Sequence, residues 1–266
     1  MIRRIFIAMA AAAALHAAPA AAGSSETGKT HLLISDTAAF SNQVQLDLAA
    51  RGAGIAIVAR TGRPPHTLPQ GVNYTHTALW VYSTIKTPDG SSAKGYRVYN
   101  LYQDQDDLTR SSLVQEAPAD FFRSAHTLDT GIIIPAPHLQ RKLLKAIASP
   151  VYPALHNPSY SVLSNPNTTQ FQNCNELTLD LLIASIYGTT DKSGIKARIA
   201  AEFHPQPIRI NGLKRFLAPA ASAALTTSDH GKGVATVTFG SLARYLRSKN
   251  LASEVYQLTP DRTVRL

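Results

Sequence analysis

The sequence predicts an α+β fold, and three observations carry that reading. Two β-rich runs at 74–85 and 95–103 flank the turn signal Pro88-Asp89-Gly90 and read as an antiparallel hairpin. A further apolar strand spans 131–134. The helical stretches fall among these strands without strict β-α-β alternation. The 266 residues are 44% hydrophobic and 16% charged, with a single Cys. Such a composition excludes a disordered, collagenous or disulfide-stapled chain.

Taken in order, the first 22 residues form a separate object. Arg3 and Arg4 precede an apolar run that ends in small residues, Ala17-Ala18-Pro19-Ala20-Ala21-Ala22, the pattern of a secretory signal peptide cleaved near Ala22. The strongly apolar stretch is shorter than the ~20 residues a membrane span requires. A periplasmic or secreted protein with no transmembrane segment after signal removal is therefore expected. Without Arg3 and Arg4, 24 basic residues face 17 acidic ones, a net charge of +7. The basic residues are scattered, with no clustered stripe of the kind nucleic-acid binding requires.

After a polar linker at 23–30, residues 37–51 read as a helix and 54–60 as a strand, followed by the hairpin. Pro135 and Pro137 mark the start of a helix at 137–148. A largely buried helix at 173–187 ends at Gly188, and Asp191 caps another that runs to Phe203. A strand at 234–239 and a helix at 241–248 complete the chain. Residues 23–266 are expected to form one domain, with 190–266 as a candidate C-terminal elaboration.

Chemistry concentrates at Cys174. A lone Cys in an oxidising compartment has no intramolecular partner, so it is either a buried small hydrophobe or a nucleophile. Asn173 and Glu176 read as a capping box, with Asn173 at the N-cap and Glu176 three residues on, which puts Cys174 in the first helical turn. There, unpaired N–H groups and the positive end of the helix dipole favour thiolate. Eight histidines follow the signal, and only His76 opens a strong strand. His138 reads as an exposed helix start, and Ser228-Asp229-His230 as a loop, since triad members converge from separate elements. His156-Asn157-Pro158 lies in a turn-rich stretch before the Cys helix. No spaced metal-ligand set and no glycine-rich phosphate loop occur, so neither metal nor cofactor is expected.

Tyr74-Thr75-His76 opening a strand, well upstream of Cys174-Asn175-Glu176-Leu177 opening a helix, resembles the circularly permuted, NlpC-type papain-like cysteine peptidases and acyltransferases. The chain also resembles the uncharacterised bacterial family called domain of unknown function 2145. Its landmarks are Tyr96 to Gln103, Gly131-Ile132-Ile133-Ile134-Pro135, His156-Asn157-Pro158 and Gln172-Asn173-Cys174. The first resemblance implies a papain-like antiparallel sheet with the Cys-bearing helix packed against it. It also implies acyl transfer: Cys174 attacks an amide or ester carbonyl and His76 moves the proton. A third polar residue on the following strand orients the imidazole. Asn100 occupies the family position for it, whereas a symmetric hairpin turn would put Gln103 opposite His76. Gln172 is a candidate oxyanion donor, and Asn173 is committed to the cap. The implied substrate is an envelope amide or ester, a peptidoglycan peptide or a lipid. The competing reading is a non-catalytic envelope binding or structural protein with an inert, buried Cys174.

Overall fold

A computed structural model describes residues 30–86, 89–210 and 222–266. The signal-peptide reading of residues 1–22 lies outside the described residues. The architecture is α+β. A seven-stranded antiparallel sheet has the order β4-β3-β2-β1-β5-β8-β9. Its strands are β1 (Ile55–Arg60), β2 (His76–Lys86), β3 (Ser92–Gln103), β4 (Ser111–Glu116), β5 (Thr130–Pro135), β8 (Ala252–Leu258) and β9 (Thr263–Arg265). A separate ribbon pairs β6 (Gln206–Ile208) with β7 (Val234–Thr236).

Helices cover both faces of the sheet, so the central strands are buried on both sides. β1 reads Ile-Ala-Ile-Val-Ala-Arg, with all six residues buried, because alternate residues feed two different cores. Ala56, Val58, Ala78, Trp80 and Val98 face α1 (Ile34–Ala50) and α2 (Pro118–Arg123), where they meet Phe40, Val44, Phe121 and Phe122. Ile55, Ile57, Leu79, Val81 and Leu101 face the other way. They pack with α3 (Pro137–Ile147), α5 (Cys174–Tyr187) and α7 (Phe239–Ser248), while α4 (Val151–Leu155) and α6 (Lys192–Glu202) flank α5. Burial on this scale, at about 25 cal/mol per Å² of apolar surface, is the main force assembling the three layers. Gly131 on β5 allows a close approach: a Cβ there would lie 2.6 Å from the Tyr74 ring and 2.7 Å from Phe239.

Several expected elements differ in detail. The strand expected at 234–239 stops at Thr236, because Thr238 caps α7 in a reciprocal box with Ser241. The stretch 104–130, to which the sequence reading assigns no element, contains β4 and α2. The C-terminal segment supplies β8, which hydrogen-bonds to β5 from Thr130↔Leu258 to Pro135↔Ala252, so it is part of the main sheet. Among the described residues, no helix is long and apolar enough to cross a membrane.

Candidate active site

α5 begins where the sequence places it. The Asn173 side chain accepts the Glu176 N–H at 3.0 Å, and its Nδ2 donates to the Val162 carbonyl at 3.0 Å, tying the cap to the preceding loop. Gly188, at φ 67°, closes the helix in the left-handed conformation that glycine adopts without strain. The capping box is not completed. Glu176 turns away from the Asn173 N–H and pairs with the Lys196 ammonium at 2.7 Å, because that buried cation attracts the carboxylate more strongly than a backbone amide does.

The first turn of α5 reaches the sheet where β2 and β3 part. β2 pairs with β1 down to Arg60↔His76, but its ladder with β3 ends at Leu79↔Tyr99, while β3 continues along β4 to Gln103. On that side the backbone N–H groups of Thr77, Asn175 and Cys174 lie close enough to the Cys174 sulfur to favour its thiolate. Thr77 Oγ1 also meets Thr178 Oγ1 on α5 at 3.3 Å.

His76 points to the opposite face from Thr77, as strand alternation requires. Its ring is fully buried, stacked on Tyr102 at 5.1 Å between centroids and tilted against Phe121 at 5.7 Å. His76 Nε2 donates to Asn100 Oδ1 at 2.7 Å. Asn100 Nδ2 in turn donates to Glu116 Oε1 at 2.7 Å, and the Tyr102 hydroxyl donates to the same oxygen at 2.8 Å. Glu116 thereby fixes which way the Asn100 amide faces. Only Oδ1 is left to face the imidazole, so Nε2 carries the proton and Nδ1 the lone pair. Nδ1 is buried with no hydrogen-bond partner.

The structure thus joins His76 to Asn100 and brings the Cys174 sulfur to the residue next to His76, without a hydrogen bond between His76 and Cys174 themselves. Gln103 is elsewhere. Continuing the Leu79↔Tyr99 register puts Tyr102 opposite His76, one residue from the symmetric-turn expectation, and that single step sends Gln103 to the other face. There Gln103 donates to the Leu108 carbonyl at 2.7 Å. Gln172 is also fully engaged: it accepts from the Asn157 N–H at 2.8 Å and donates to Asp180 at 2.7 Å and to the Leu155 carbonyl at 3.2 Å. It holds the loop against α5, with no donor left for an oxyanion. Ser228, Asp229 and His230 tie two loops together through Gln170, Asn165 and Leu163.

Sequence reasoning missed Glu116, Tyr102 and Arg60. Glu116 ends a short strand, and the signal for it is the Ser-Ser-Leu-Val-Gln-Glu run after the Asp-rich turn at 104–107. Arg60 lies opposite His76 on β1, is 1% exposed, and donates to the Ser124 carbonyl at 3.1 Å.

The electrostatics keep both reactive groups neutral at rest. Burial, then the nearby Arg60 charge, hold His76 well below the usual imidazole value, against the Asn100 hydrogen bond. Burial pushes the Cys174 thiol up to about 11, opposed by the three backbone N–H groups and by Arg60. The sulfur therefore rests as thiol beside a neutral base. Iodoacetamide labelling of the folded protein is expected to climb toward pH 11. At pH 7 it should run at least about 100-fold slower than labelling of the denatured chain, as two pKa units of lost thiolate require. A midpoint near or below 9 in the folded state, followed by mass spectrometry, would contradict this.

The fold and site define an α+β protein with a buried Cys at a helix start and an imidazole held by an Asn–Glu pair. Residues 47–246 match the family described as "Uncharacterized protein conserved in bacteria (DUF2145)", and the chain belongs to that family. No curated protein and no solved structure matches it.

Proposed function

We propose that this protein is a cysteine hydrolase or acyltransferase of papain-like, NlpC-permuted type, acting on an amide or ester of the bacterial cell envelope from a periplasmic or secreted location. One observation carries the reading. The His76 imidazole is oriented by Asn100 and Glu116 so that its basic Nδ1 is unspent, and the next residue, Thr77, meets Thr178 on the helix that Cys174 opens. The signal-like residues 1–22 support the location.

The His76 ring lies on the α2 side of β2 and Cys174 on the α5 side, so in this reading substrate entry has to turn the imidazole toward the thiol and the carbonyl. Sγ bonds to the carbonyl carbon as its proton passes to His76 Nδ1. The C–N or C–O bond then breaks and the leaving group takes that proton. The Asn175 and Cys174 N–H groups at the helix start supply donors for the oxyanion. Water or an acceptor amine, deprotonated by His76, then releases the acyl group from sulfur. Because the active form has a neutral His76 and a protonated Cys174, acylation should be flat between about pH 7 and 9. It should rise as the thiol ionises toward about 11, because the thiolate is the stronger nucleophile.

The second reading is the non-catalytic protein, favoured by the 4% exposure of Cys174 and its raised thiol. Intact-mass measurement after incubation with p-nitrophenyl esters and acyl-glycine amides separates the two. A Cys174-bound acyl adduct, absent in Cys174→Ala and slowed at least about 100-fold in His76→Ala, is the expected result. Failure of every acyl donor to modify folded Cys174 would establish the inert reading.

A further inference from the structure

A cavity of about 340 Å³ adjoins the site, at the lower end of the roughly 300–1,000 Å³ that small-molecule sites occupy. Its wall includes Tyr74 and Thr75, the two residues before His76, and Asn175, the residue after Cys174. Neither His76 nor Cys174 lines it, but each is the chain neighbour of a residue that does. Three chemistries meet in it. The first is an apolar wall made by Leu68, Val72, Leu163, Ile208, Leu225 and Val237. The second is positive charge: Arg63 and Arg209 line it, and no Asp or Glu does so among the described residues. The third is an unsatisfied acceptor. Asn175 is 7% exposed and its Oδ1 is buried without a hydrogen-bond partner. A buried acceptor left unmade is costly, and a turn of the Asn175 side chain into the cavity would let a ligand N–H satisfy it.

We propose that this cavity binds an N-acylated amino acid or peptide end: a fatty-acyl chain joined through an amide to an anionic head. The chain occupies the apolar wall, the amide N–H donates to Asn175 Oδ1, and the carboxylate meets Arg63 and Arg209. A peptide without the chain leaves the apolar wall wet, and a simple ester leaves Asn175 unsatisfied. The inference rests on the acyl-transfer reading only for what happens next, in which the amide carbonyl beside Asn175 passes to its chain neighbour Cys174. Hydrolysis then forms the Cys174 thioester with loss of the free amine, and water returns the fatty acid.

Calorimetry on the full chain tests the binding apart from the chemistry. N-octanoylglycine is expected to bind at least about tenfold more tightly than N-acetylglycine, and about fivefold more tightly than the neutral N-octanoylglycine amide. Val72→Trp, in a half-buried loop position, should fill the cavity and abolish the chain-length preference. Arg63→Glu and Arg209→Glu should abolish the preference for the carboxylate while leaving that for the chain. Equal affinity for all three ligands, or wild-type selectivity in Val72→Trp with unchanged thermal melting, would overturn the assignment. Release of glycine is followed separately. Selective binding without glycine release would count against the acyl-transfer reading alone, and glycine release indifferent to chain length against the cavity assignment alone.

Discussion

Lys196→Ala is expected to cost about 3–5 kcal/mol of stability, measured by urea denaturation at pH 7, because it strands the buried Asp180 carboxylate beside the buried Glu176 carboxyl. Lys196 Nζ donates to Glu176 Oε1 at 2.7 Å and to Asp180 Oδ1 and Oδ2 at 2.7 and 3.0 Å, with Glu176 1% exposed. One ammonium facing two carboxylates leaves the cluster one proton short of neutrality. Asp180 also accepts from Gln172, so the proton falls to Glu176, which Lys196 meets through Oε1 alone. Burial, outweighing the pull of Lys196, drives Glu176 up to about 8. The folded value exceeds the ordinary 4.5, so the folded state holds an extra proton between the two values. The stabilisation this gives is fully present below pH 4.5 and is lost as pH rises through about 8. The slope approaches ~1.4 kcal/mol per pH unit where one proton governs it. Glu176→Gln should flatten that slope between pH 6 and 9 and be close to neutral at pH 6. A wild-type slope in Glu176→Gln, or a loss under about 1 kcal/mol in Lys196→Ala, would show that the cluster is not linked in this way.

The elements that sequence reading located are those whose signal is local. The Asn173 cap, the Gly188 stop and the β-branched run of β2 each depend on residues within a few positions. The Asn100 position followed from a family resemblance, and the structure pairs it with His76. What remained hidden is decided by tertiary partners. Glu176 satisfied the capping-box spacing, yet Lys196, twenty residues on, captured its side chain. The Gln103 alternative failed by one step of register, a difference that hairpin length alone does not settle. β4 and β8 were overlooked because β4 is a six-residue strand inside a polar stretch and β8 carries only partial alternation. Both are edge or near-edge strands whose pairing comes from neighbours distant in sequence.

If His76 acts as the base, Asn100→Leu is expected to slow Cys174 acylation by about 10²-fold or more, since the imidazole loses the acceptor that keeps its proton on Nε2. Glu116 acts one bond further out, and its substitution separates a positioning role from a merely structural one. Glu116→Gln keeps a carbonyl oxygen in place for Asn100 Nδ2 and Tyr102, so acylation should stay within about threefold of wild type. Glu116→Leu removes the group that decides which way the amide faces. Asn100 is then free to turn Nδ2 toward the ring, Nε2 becomes the acceptor, and the proton moves to Nδ1, where it blocks the base. ¹⁵N NMR of labelled histidine reads that change directly: Nε2–H in wild type and Glu116→Gln, Nδ1–H in Glu116→Leu, with acylation lost in step. A folded Glu116→Leu protein that keeps the Nε2–H tautomer and full acylation would remove Glu116 from the site. The imidazole would then be oriented by Asn100 and the stacked Tyr102 ring alone.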